Sequence, residues 1–219
     1  MKRLTSPNDG VLPKQYEQSY AVDWRFFLPI SVQSKVLVIG DGAAEAVLFF
    51  KRIGLEIDAC NYFDLVGHEE NLPISLKYPN SIYDIIIIPD SSGFIAAQSV
   101  SIFQNASKLL KKKGVILIGF LNHFFFSRHK KDKHFASTVY MMSRRLINFS
   151  SVNIFGCFPD LRIPEYIFPI DPTSVRFVLN HRYRYRFSKI LLSLITAPLL
   201  MPILVHFFPA YYILAVSEN

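Results

Sequence analysis

Short apolar runs alternate with helical patterns along the first 120 residues of the chain. Four of the runs have the length and composition of strands: 35–39, 55–60, 83–88 and 115–120. The run at 35–39 is continuous, which is typical of a sheet that is covered on both faces, whereas 55–60 alternates apolar and polar positions. Residues 43–53 and 94–110 carry apolar side chains at helical spacing, and Gly54 is positioned to cap the first helix. The order strand, helix, strand, strand, helix, strand predicts an α/β fold with a mostly parallel sheet.

The pattern changes after residue 120. Residues 139–149 have a helical pattern, 151–156 alternate like an added strand, and 209–216 have the composition of a final strand. Four prolines lie between the last two, at positions 159, 164, 169 and 172. Prolines at this density exclude a long helix and favour an ordered loop. We therefore interpret residues 157–175 as a proline-rich lid and residues 122–150 as a basic, aromatic cap.

Length and composition favour a single domain with a full core. The chain has 219 residues, of which 51% are hydrophobic and 19% charged. We divide it into an N-terminal arm with a docking helix at 1–34 and a main domain at 35–219. The two cysteines, Cys60 and Cys157, form neither a disulfide framework nor a zinc cluster, so no metal site is predicted. The polar start of the chain does not indicate a signal peptide.

The charge of the chain favours an anionic partner, because Lys and Arg outnumber Asp and Glu by 24 to 17. Basic side chains precede the stretch 190–208, which has no formal charge and is long enough to cross a membrane. Pro198 and Pro202 interrupt this stretch. We therefore predict monotopic docking on the cytoplasmic side of a membrane, with a single spanning segment and a buried core helix as alternatives. A nucleic-acid partner is disfavoured, since the charge lies beside apolar segments.

A glycine turn follows the first predicted strand. Gly40, Asp41 and Gly42 stand directly after the strand at 35–39 and directly before the helix at 43–53. Glycines there let the backbone turn tightly and approach a ligand closely, and the start of the helix adds oriented N–H groups. From the turn alone, a nucleotide-type site and a plain strand-to-helix turn are equally supported.

Three segments in a fixed order extend this turn into a family resemblance. They are the turn region 36–44, the segment 70–74 ahead of the strand at 83–88, and the helix and strand at 93–118. In this order they resemble the class I S-adenosylmethionine (SAM)-dependent methyltransferases. The resemblance implies SAM as the cofactor. It also implies an α/β, Rossmann-like, mostly parallel seven-stranded sheet with helices on both faces and an antiparallel C-terminal strand.

The resemblance also assigns the cofactor-binding residues. They lie in the turn, after the second strand, ahead of the third strand and directly after it: Gly40, Asp41, Gly42, Ala43, Asn61, Tyr62, Glu70, Asn71, Leu72 and Pro89. Two positions depart from the family pattern. Ala44 takes the place of a third glycine, and Asn61 or Tyr62 stands where an acidic residue usually holds the ribose. An asparagine can still hydrogen-bond a ribose diol, but without the strength that a charge adds.

Ligands of such sheets bind at the carboxyl ends of the strands, and this rule nominates the acceptor side. Asp90, Ser91 and Ser92 follow the third strand, and Asn122 and His123 follow the fourth. We predict His123 and Asp90 as catalytic residues, with His123 as the general base because histidine titrates near neutral pH. The alternatives are a surface histidine and a helix-capping aspartate.

The proline-rich lid supplies further candidates, since charged and aromatic residues among prolines suit a rigid loop that closes over a substrate. We predict that the substrate is contacted by the end of the fourth strand and by four lid residues: Asn122, Asp160, Arg162, Glu165 and Tyr166. The alternative is a surface loop that Arg162 ties down by pairing with Asp160 or Glu165.

These features predict a membrane-associated, cytoplasmic SAM-dependent methyltransferase that acts on a small lipid-like or aromatic acceptor. Transfer to oxygen is favoured by His123. The missing ribose acid and third glycine leave open a non-catalytic, methyltransferase-like binding protein. The turn at 40–42 also leaves open an aminopropyl transferase, although that chemistry needs acidic residues near a polyamine and the acceptor side of this chain is basic.

Overall fold

The computed structural model describes a central sheet and the helices packed on it. The described residues are 24–40, 43–61, 81–91, 99–122, 136–137, 146, 149–159, 161, 164–182, 200, 203, 206 and 208–218. They contain a 3₁₀ turn at Trp24–Phe27 and three helices: α1 Ala43–Arg52, α2 Ser99–Leu109 and α3 Pro172–Arg182. They also contain eight strands: β1 Lys35–Ile39, β2 Glu56–Cys60, β3 Tyr83–Ile88, β4 Leu110–Asn122, β5 Ala136–Ser137, β6 Phe149–Phe158, β7 Tyr166–Pro169 and β8 Ala210–Ser217.

Seven of these strands form one sheet in the order β2-β1-β3-β4-β8-β6-β7, and the short β5 pairs with the end of β4. Strands β2, β1, β3 and β4 are parallel, whereas β8 is antiparallel to both of its neighbours, β4 and β6. The final strand predicted at 209–216 is β8. The predicted α/β fold with a seven-stranded sheet and an antiparallel C-terminal strand is therefore confirmed, with a larger antiparallel part than the pattern indicates.

The two faces of the sheet are covered by different helices, because successive side chains of a strand point to opposite sides. Val36 and Val38 of β1 lie in one apolar cluster with Phe50 of α1. Leu37 and Ile39 lie in a second cluster, which includes residues of α2 and α3. The uninterrupted apolar strands are thus buried on both faces, and the predicted helices on both faces are confirmed.

Helix α1 ends at the predicted glycine. Gly54 has a φ of +81°, a conformation that glycine adopts without a steric penalty. The Gly54 N–H donates to the Lys51 oxygen at 3.1 Å, and the Leu55 N–H donates to the Phe50 oxygen at 3.1 Å. These two bonds form a Schellman motif. Leu55 and Phe50 are buried in the same cluster, which sets the direction of the chain into β2.

The segment ahead of β1 packs on the main domain as a turn of four residues rather than as a full helix. The ring centroid of Phe27 lies 4.8 Å from that of Phe155 in β6. The guanidinium carbon of Arg25 lies 3.8 Å from the ring centroid of Phe49 in α1. Leu28 is buried in the same cluster as α1. The described part of the predicted arm at 1–34 is therefore tied to the face that α1 covers.

The structure corrects the prediction that the proline-rich segment 157–175 is a loop throughout. Residues Tyr166–Pro169 form β7, which pairs antiparallel with β6 at the edge of the sheet, and Phe168 is buried. Helix α3 begins at Pro172, and the carboxylate of Asp171 caps it by accepting two backbone N–H groups. Proline is tolerated at a strand end and in the first turn of a helix. Pro169 and Pro172 therefore belong to regular elements, and the segment is not one loop.

Other predicted segments lie largely outside the described residues. Of the cap at 122–150, the structure describes the end of β4, the short β5, Leu146 and the start of β6. Of the stretch at 190–208, it describes residues 200, 203, 206 and 208. Within the described ranges, no helix has both the length and the apolar character that crossing a membrane requires.

Candidate functional site

The strand order defines a position for a ligand at the carboxyl edge of the sheet. Strand β1 lies between β2 and β3, so the chain moves to one side of β1 to form β2 and then to the other side to form β3. Open α/β sheets bind ligands at such a switch point, outside the carboxyl ends of the strands. The candidate site therefore lies where β1 and β3 end, at Gly40 and at residues 89–91.

Gly40 brings the end of β1 close to the end of β3. Its φ is +107°, which side chains of L-residues rarely adopt. Its N–H donates to the Cys60 oxygen of β2 at 3.1 Å. A Cβ added at Gly40 would lie 3.8 Å from the backbone oxygen of Asp90. The predicted glycine turn thus begins in a backbone conformation that favours glycine, and it faces the segment that carries Asp90.

A second close approach joins β4 to the end of β3. A Cβ added at Gly119 would overlap the backbone oxygen of Pro89 and would lie 3.0 Å from the Pro89 carbonyl carbon. Pro89 has no N–H, so it cannot extend the ladder of β3. No motif pointed to Gly119, although an isolated glycine inside an apolar strand is itself a signal that another backbone approaches closely. Because Gly119 has no side chain, Pro89 and Asp90 can take up their positions at the site.

Ser91 follows in the same segment and is fully buried. Its Oγ has no hydrogen-bond partner among the residues that the structure describes. Buried hydroxyl groups are normally paired, and an unpaired one costs about 1–3 kcal/mol. The candidate site therefore contains a buried hydroxyl with unused hydrogen-bonding capacity.

Asn122, which was predicted to contact the substrate, has a structural role at the end of β4. It is 1% exposed, and its Nδ2 donates to the backbone oxygens of His206 and Phe208 at 2.7 and 2.6 Å. The same Nδ2 lies 3.2 Å from the Tyr211 hydroxyl. Burial raises the pKa of Tyr211 far above its usual range, against the opposing effect of a backbone hydrogen bond from Phe208, so the phenol stays neutral. These bonds hold the chain ahead of β8 against β4, and the predicted substrate contact of Asn122 stays a prediction.

Glu165 and Tyr166 lie at the same carboxyl edge but far from Gly40. Tyr166 pairs with Phe158 at the end of β6. Strand β7 is four positions from β3 in the sheet, roughly 19 Å at the usual strand spacing. Glu165 accepts a hydrogen bond from Nη1 of Arg182 in α3 at 3.3 Å. These two predicted substrate residues are therefore not brought together with the switch point.

No family model and no curated protein matches the sequence of the chain. The similarities to known proteins are therefore those of the three-dimensional structure. The chain is similar to phosphoethanolamine N-methyltransferase 2 from Haemonchus contortus, in complex with phosphomonomethylethanolamine and S-adenosylhomocysteine. The TM-score is 0.53 and the identity 13%, over 89% of this chain and 51% of that one. A structure of that enzyme with SAM gives a TM-score of 0.52 and 12% identity, over 89% and 51%. The chain therefore spans about half the length of that enzyme.

The chain has the class I SAM-dependent methyltransferase fold. A SAM-dependent methyltransferase from Archaeoglobus fulgidus is also similar, with a TM-score of 0.49 and 16% identity over 84% of this chain and 86% of that one. Within the methyltransferase fold, the position of Gly40 after β1 agrees with the resemblance drawn from residues 36–44.

The methyltransferase fold implies SAM as a cofactor, and the described residues at the switch point fit it. Gly40 itself contributes no side chain at the end of β1, so a ligand can approach its backbone. Ser91 adds a buried hydroxyl with unused capacity. Asn61 is exposed directly after β2, and its amide has both a donor and an acceptor for a ribose diol.

The structure brings three predicted site residues together at the ends of β1 and β3, namely Gly40, Pro89 and Asp90. Ala43 begins α1, and Asn61 follows the neighbouring strand. The remaining predicted residues lie outside the described residues and stay predictions: Asp41, Gly42, Tyr62, Glu70, Asn71, Leu72, His123, Asp160 and Arg162.

Proposed function

We propose that the protein is a SAM-dependent methyltransferase. The switch point carries this proposal, because Gly40 at a φ of +107° faces the Asp90 carbonyl, and the next residue, Ser91, has a buried hydroxyl without a partner in the described residues. The similar enzyme from H. contortus was solved with S-adenosylhomocysteine and with SAM. That finding supports the same cofactor for this chain.

The residues of the chain bind the cofactor and orient the acceptor. When bound, SAM supplies an electrophilic methyl group, so the protein mainly has to position the acceptor and exclude competing groups. Gly40 lets the backbone approach the amino-acid part of the cofactor. The Asn61 amide hydrogen-bonds the ribose hydroxyls. Pro89 and Asp90 border the same site from the end of β3, where Gly119 leaves room for the Pro89 carbonyl.

We further propose transfer to an oxygen of a small lipid-like or aromatic acceptor. A hydroxyl loses its proton when it is methylated, so the site needs a base that works near neutral pH. His123, directly after β4 in the sequence, is assigned to remove this proton. Asp90, half-buried after β3, is assigned to accept a hydrogen bond from the acceptor hydroxyl and to orient it.

Calorimetric titration with S-adenosylhomocysteine tests the cofactor assignment. We expect the wild-type protein to bind in the micromolar range and Gly40→Val to abolish binding, because a branched side chain is strained at a positive φ and occupies the place of the ligand. Gly54→Ala is the matched control: its φ is also positive, but a Cβ there meets nothing within 4 Å and lies far from the switch point. The control should lose stability and keep binding. Absence of binding by the wild-type protein would refute the proposal.

We also propose that the protein works at the cytoplasmic surface of a membrane. Helix α3 carries Phe177, which is 61% exposed and stacks on His181 with ring centroids 5.3 Å apart. Arg176 is exposed beside it, and residues 172–189 contain no acidic side chain. A basic helix with an exposed ring suits the headgroup region of a membrane that contains anionic lipids.

Co-sedimentation with vesicles tests this surface. We expect binding to vesicles that contain phosphatidylserine and little binding to pure phosphatidylcholine vesicles. The double variant Arg176→Ala, Phe177→Ala should weaken binding to the anionic vesicles, whereas Val32→Ala, at another exposed apolar side chain, should not. Equal binding to both kinds of vesicle would exclude recognition of anionic lipids.

A second candidate function is a methyltransferase-like protein that binds the cofactor without catalysis. The observation in its favour is Asn61, which stands after β2 where the family usually has an acidic residue. Binding of S-adenosylhomocysteine without transfer of label from SAM to membrane lipids or small hydroxylated acceptors would favour it. Tighter binding by Asn61→Asp would show that the amide weakens a site of otherwise ordinary design.

A further inference from the structure

Ser91 differs from the other buried polar side chains in the described ranges, because it alone has no hydrogen-bond partner there. Ser107, for comparison, is 3% exposed, and its hydroxyl donates to the Gln104 oxygen at 2.7 Å. The amide of Asn122 likewise donates to two backbone oxygens. An unpaired buried hydroxyl destabilises the folded protein. Its presence at a candidate site points to a partner that arrives with the ligand.

The position of Ser91 indicates which end of the ligand it faces. Ser91 directly follows Asp90, whose backbone oxygen lies beside Gly40. The glycine turn is the part that the family resemblance sets against the methionine portion of SAM. Asn61, assigned to the ribose, follows β2 on the opposite side of β1. It is therefore about two strand spacings, or roughly 10 Å, from the end of β3.

We propose that the Ser91 hydroxyl donates a hydrogen bond to the carboxylate at the amino-acid end of a bound S-adenosyl compound. This inference rests on the proposed function and adds the residue that recognises one end of the cofactor. A hydrogen bond from a hydroxyl to a carboxylate is charge-assisted and stronger than one between neutral groups. Binding would then satisfy the hydroxyl that is unpaired in the protein alone.

The proposal predicts opposite effects of one substitution on stability and on binding. Removing the unpaired hydroxyl in Ser91→Ala should raise the melting temperature of the ligand-free protein by about 2–4 °C. Ser107→Ala is the matched control, because it removes a paired hydroxyl from a buried serine. Its melting temperature should fall, and its affinity for S-adenosylhomocysteine should not change.

Two ligands then identify the end of the cofactor that Ser91 contacts. We expect Ser91→Ala to bind S-adenosylhomocysteine about tenfold more weakly than the wild-type protein does, as the loss of one hydrogen bond implies. The same variant should bind 5′-methylthioadenosine as the wild-type protein does, since that compound carries the adenosine but lacks the amino-acid end. Calorimetry gives both dissociation constants without any turnover.

Three results would overturn the assignment. Unchanged affinity of Ser91→Ala for S-adenosylhomocysteine would show that the hydroxyl makes no contact with the ligand. Equal weakening for both ligands would show that it acts on the shape of the site. A lower melting temperature of ligand-free Ser91→Ala would show that the hydroxyl already has a structural partner. If the wild-type protein itself does not bind S-adenosylhomocysteine, the proposed function fails together with this inference, which separates that case from the other three.

Discussion

The amino and carboxyl edges of the parallel half of the sheet use the same four strands in different ways. At the amino edge, Nζ of Lys35 lies 2.7 Å from Oε1 of Glu56, and the Tyr83 hydroxyl donates to Asp58 at 2.6 Å. The carboxylate of Asp84 accepts the backbone N–H of Lys35 and the ammonium of Lys111, each at 2.9 Å. Polar groups at this edge are thus paired across the strands.

The carboxyl edge has bare backbone and unused polar capacity in the corresponding places. Gly40 and Gly119 keep side chains away from the ends of β1 and β3, and Ser91 holds a buried hydroxyl without a partner in the described part of the chain. Pairs within the protein stabilise the fold, whereas an unpaired buried group costs stability until a ligand satisfies it. Substitutions at the amino edge should therefore affect folding, and substitutions at the carboxyl edge should affect ligand binding.

The largest effect is expected for Gly119→Ala, because this substitution should affect both folding and ligand binding. The added Cβ would overlap the backbone oxygen of Pro89, which cannot move like a flexible side chain. We expect the free energy of unfolding to fall by about 3 kcal/mol and the affinity for S-adenosylhomocysteine to fall with it, because Pro89 and Asp90 are displaced. Urea unfolding and calorimetry measure the two quantities.

Gly156→Ala is the control for this prediction. A Cβ at Gly156 in β6 would lie 2.7 Å from the ring of Phe168, which is a side chain on the neighbouring edge strand. This variant should lose stability but keep its affinity for S-adenosylhomocysteine. If Gly119→Ala behaves in the same way, the contact between Pro89 and Gly119 does not shape the ligand site.

A smaller effect is expected for Asp84→Ala at the amino edge. The substitution removes the acceptor of the Lys35 N–H and the partner of Lys111. We expect the free energy of unfolding to fall by about 2 kcal/mol. This value is at the low end for charge-assisted hydrogen bonds, because the side chains of Asp84 and Lys111 are both partly exposed. The dissociation constant for S-adenosylhomocysteine should stay at the wild-type value. A change in that constant would contradict the separation of the two edges.

The smallest effect is the pH dependence that the same carboxylate confers. Burial alone would raise the pKa of Asp84, but the Lys35 N–H and the Lys111 ammonium outweigh it and hold the pKa below its ordinary value of 3.8. A lowered pKa stabilises the folded state above pH 3.8, and this stabilisation is lost as the pH falls through the folded-state pKa. The melting temperature of the wild-type protein should therefore exceed that of Asp84→Asn above pH 3.8. This difference should shrink as the pH falls through the folded-state pKa of Asp84. A difference in melting temperature that does not change with pH would mean that the ion pair of Asp84 and Lys111 adds nothing to stability.

Local signals explain why much of the fold was predictable. The strands β1 and β3 contain the uninterrupted apolar runs 36–39 and 85–88, each followed by turn residues, and α1 ends at a glycine with a positive φ. Each of these features depends on neighbours in the sequence, as strand propensity and helix capping do. The first glycine of the turn was found for the same reason, since a turn between a strand and a helix is encoded within a few residues.

Contacts between distant segments explain what the local patterns missed. Asn122 turns inward because β8 and the chain ahead of it supply acceptors more than 80 residues away. Residues 166–169 form a strand instead of a loop because β6 offers a free edge for pairing. Proline content indicates where a regular element is interrupted, but it carries no information about the partner strand.

The sequence by itself determined the order of strands and helices up to residue 120, the final strand, the glycine turn after β1 and the resemblance that implies SAM. Apolar periodicity and turn chemistry act over short stretches of chain, so these features could be predicted locally. Only the tertiary structure decided that Gly119 makes room for the Pro89 carbonyl and that Ser91 is buried without a partner in the described residues. The same holds for the contact of Glu165 with Arg182. The physical reason is that burial and close approach depend on which strands become neighbours, and strand order is set by the packing of the whole sheet.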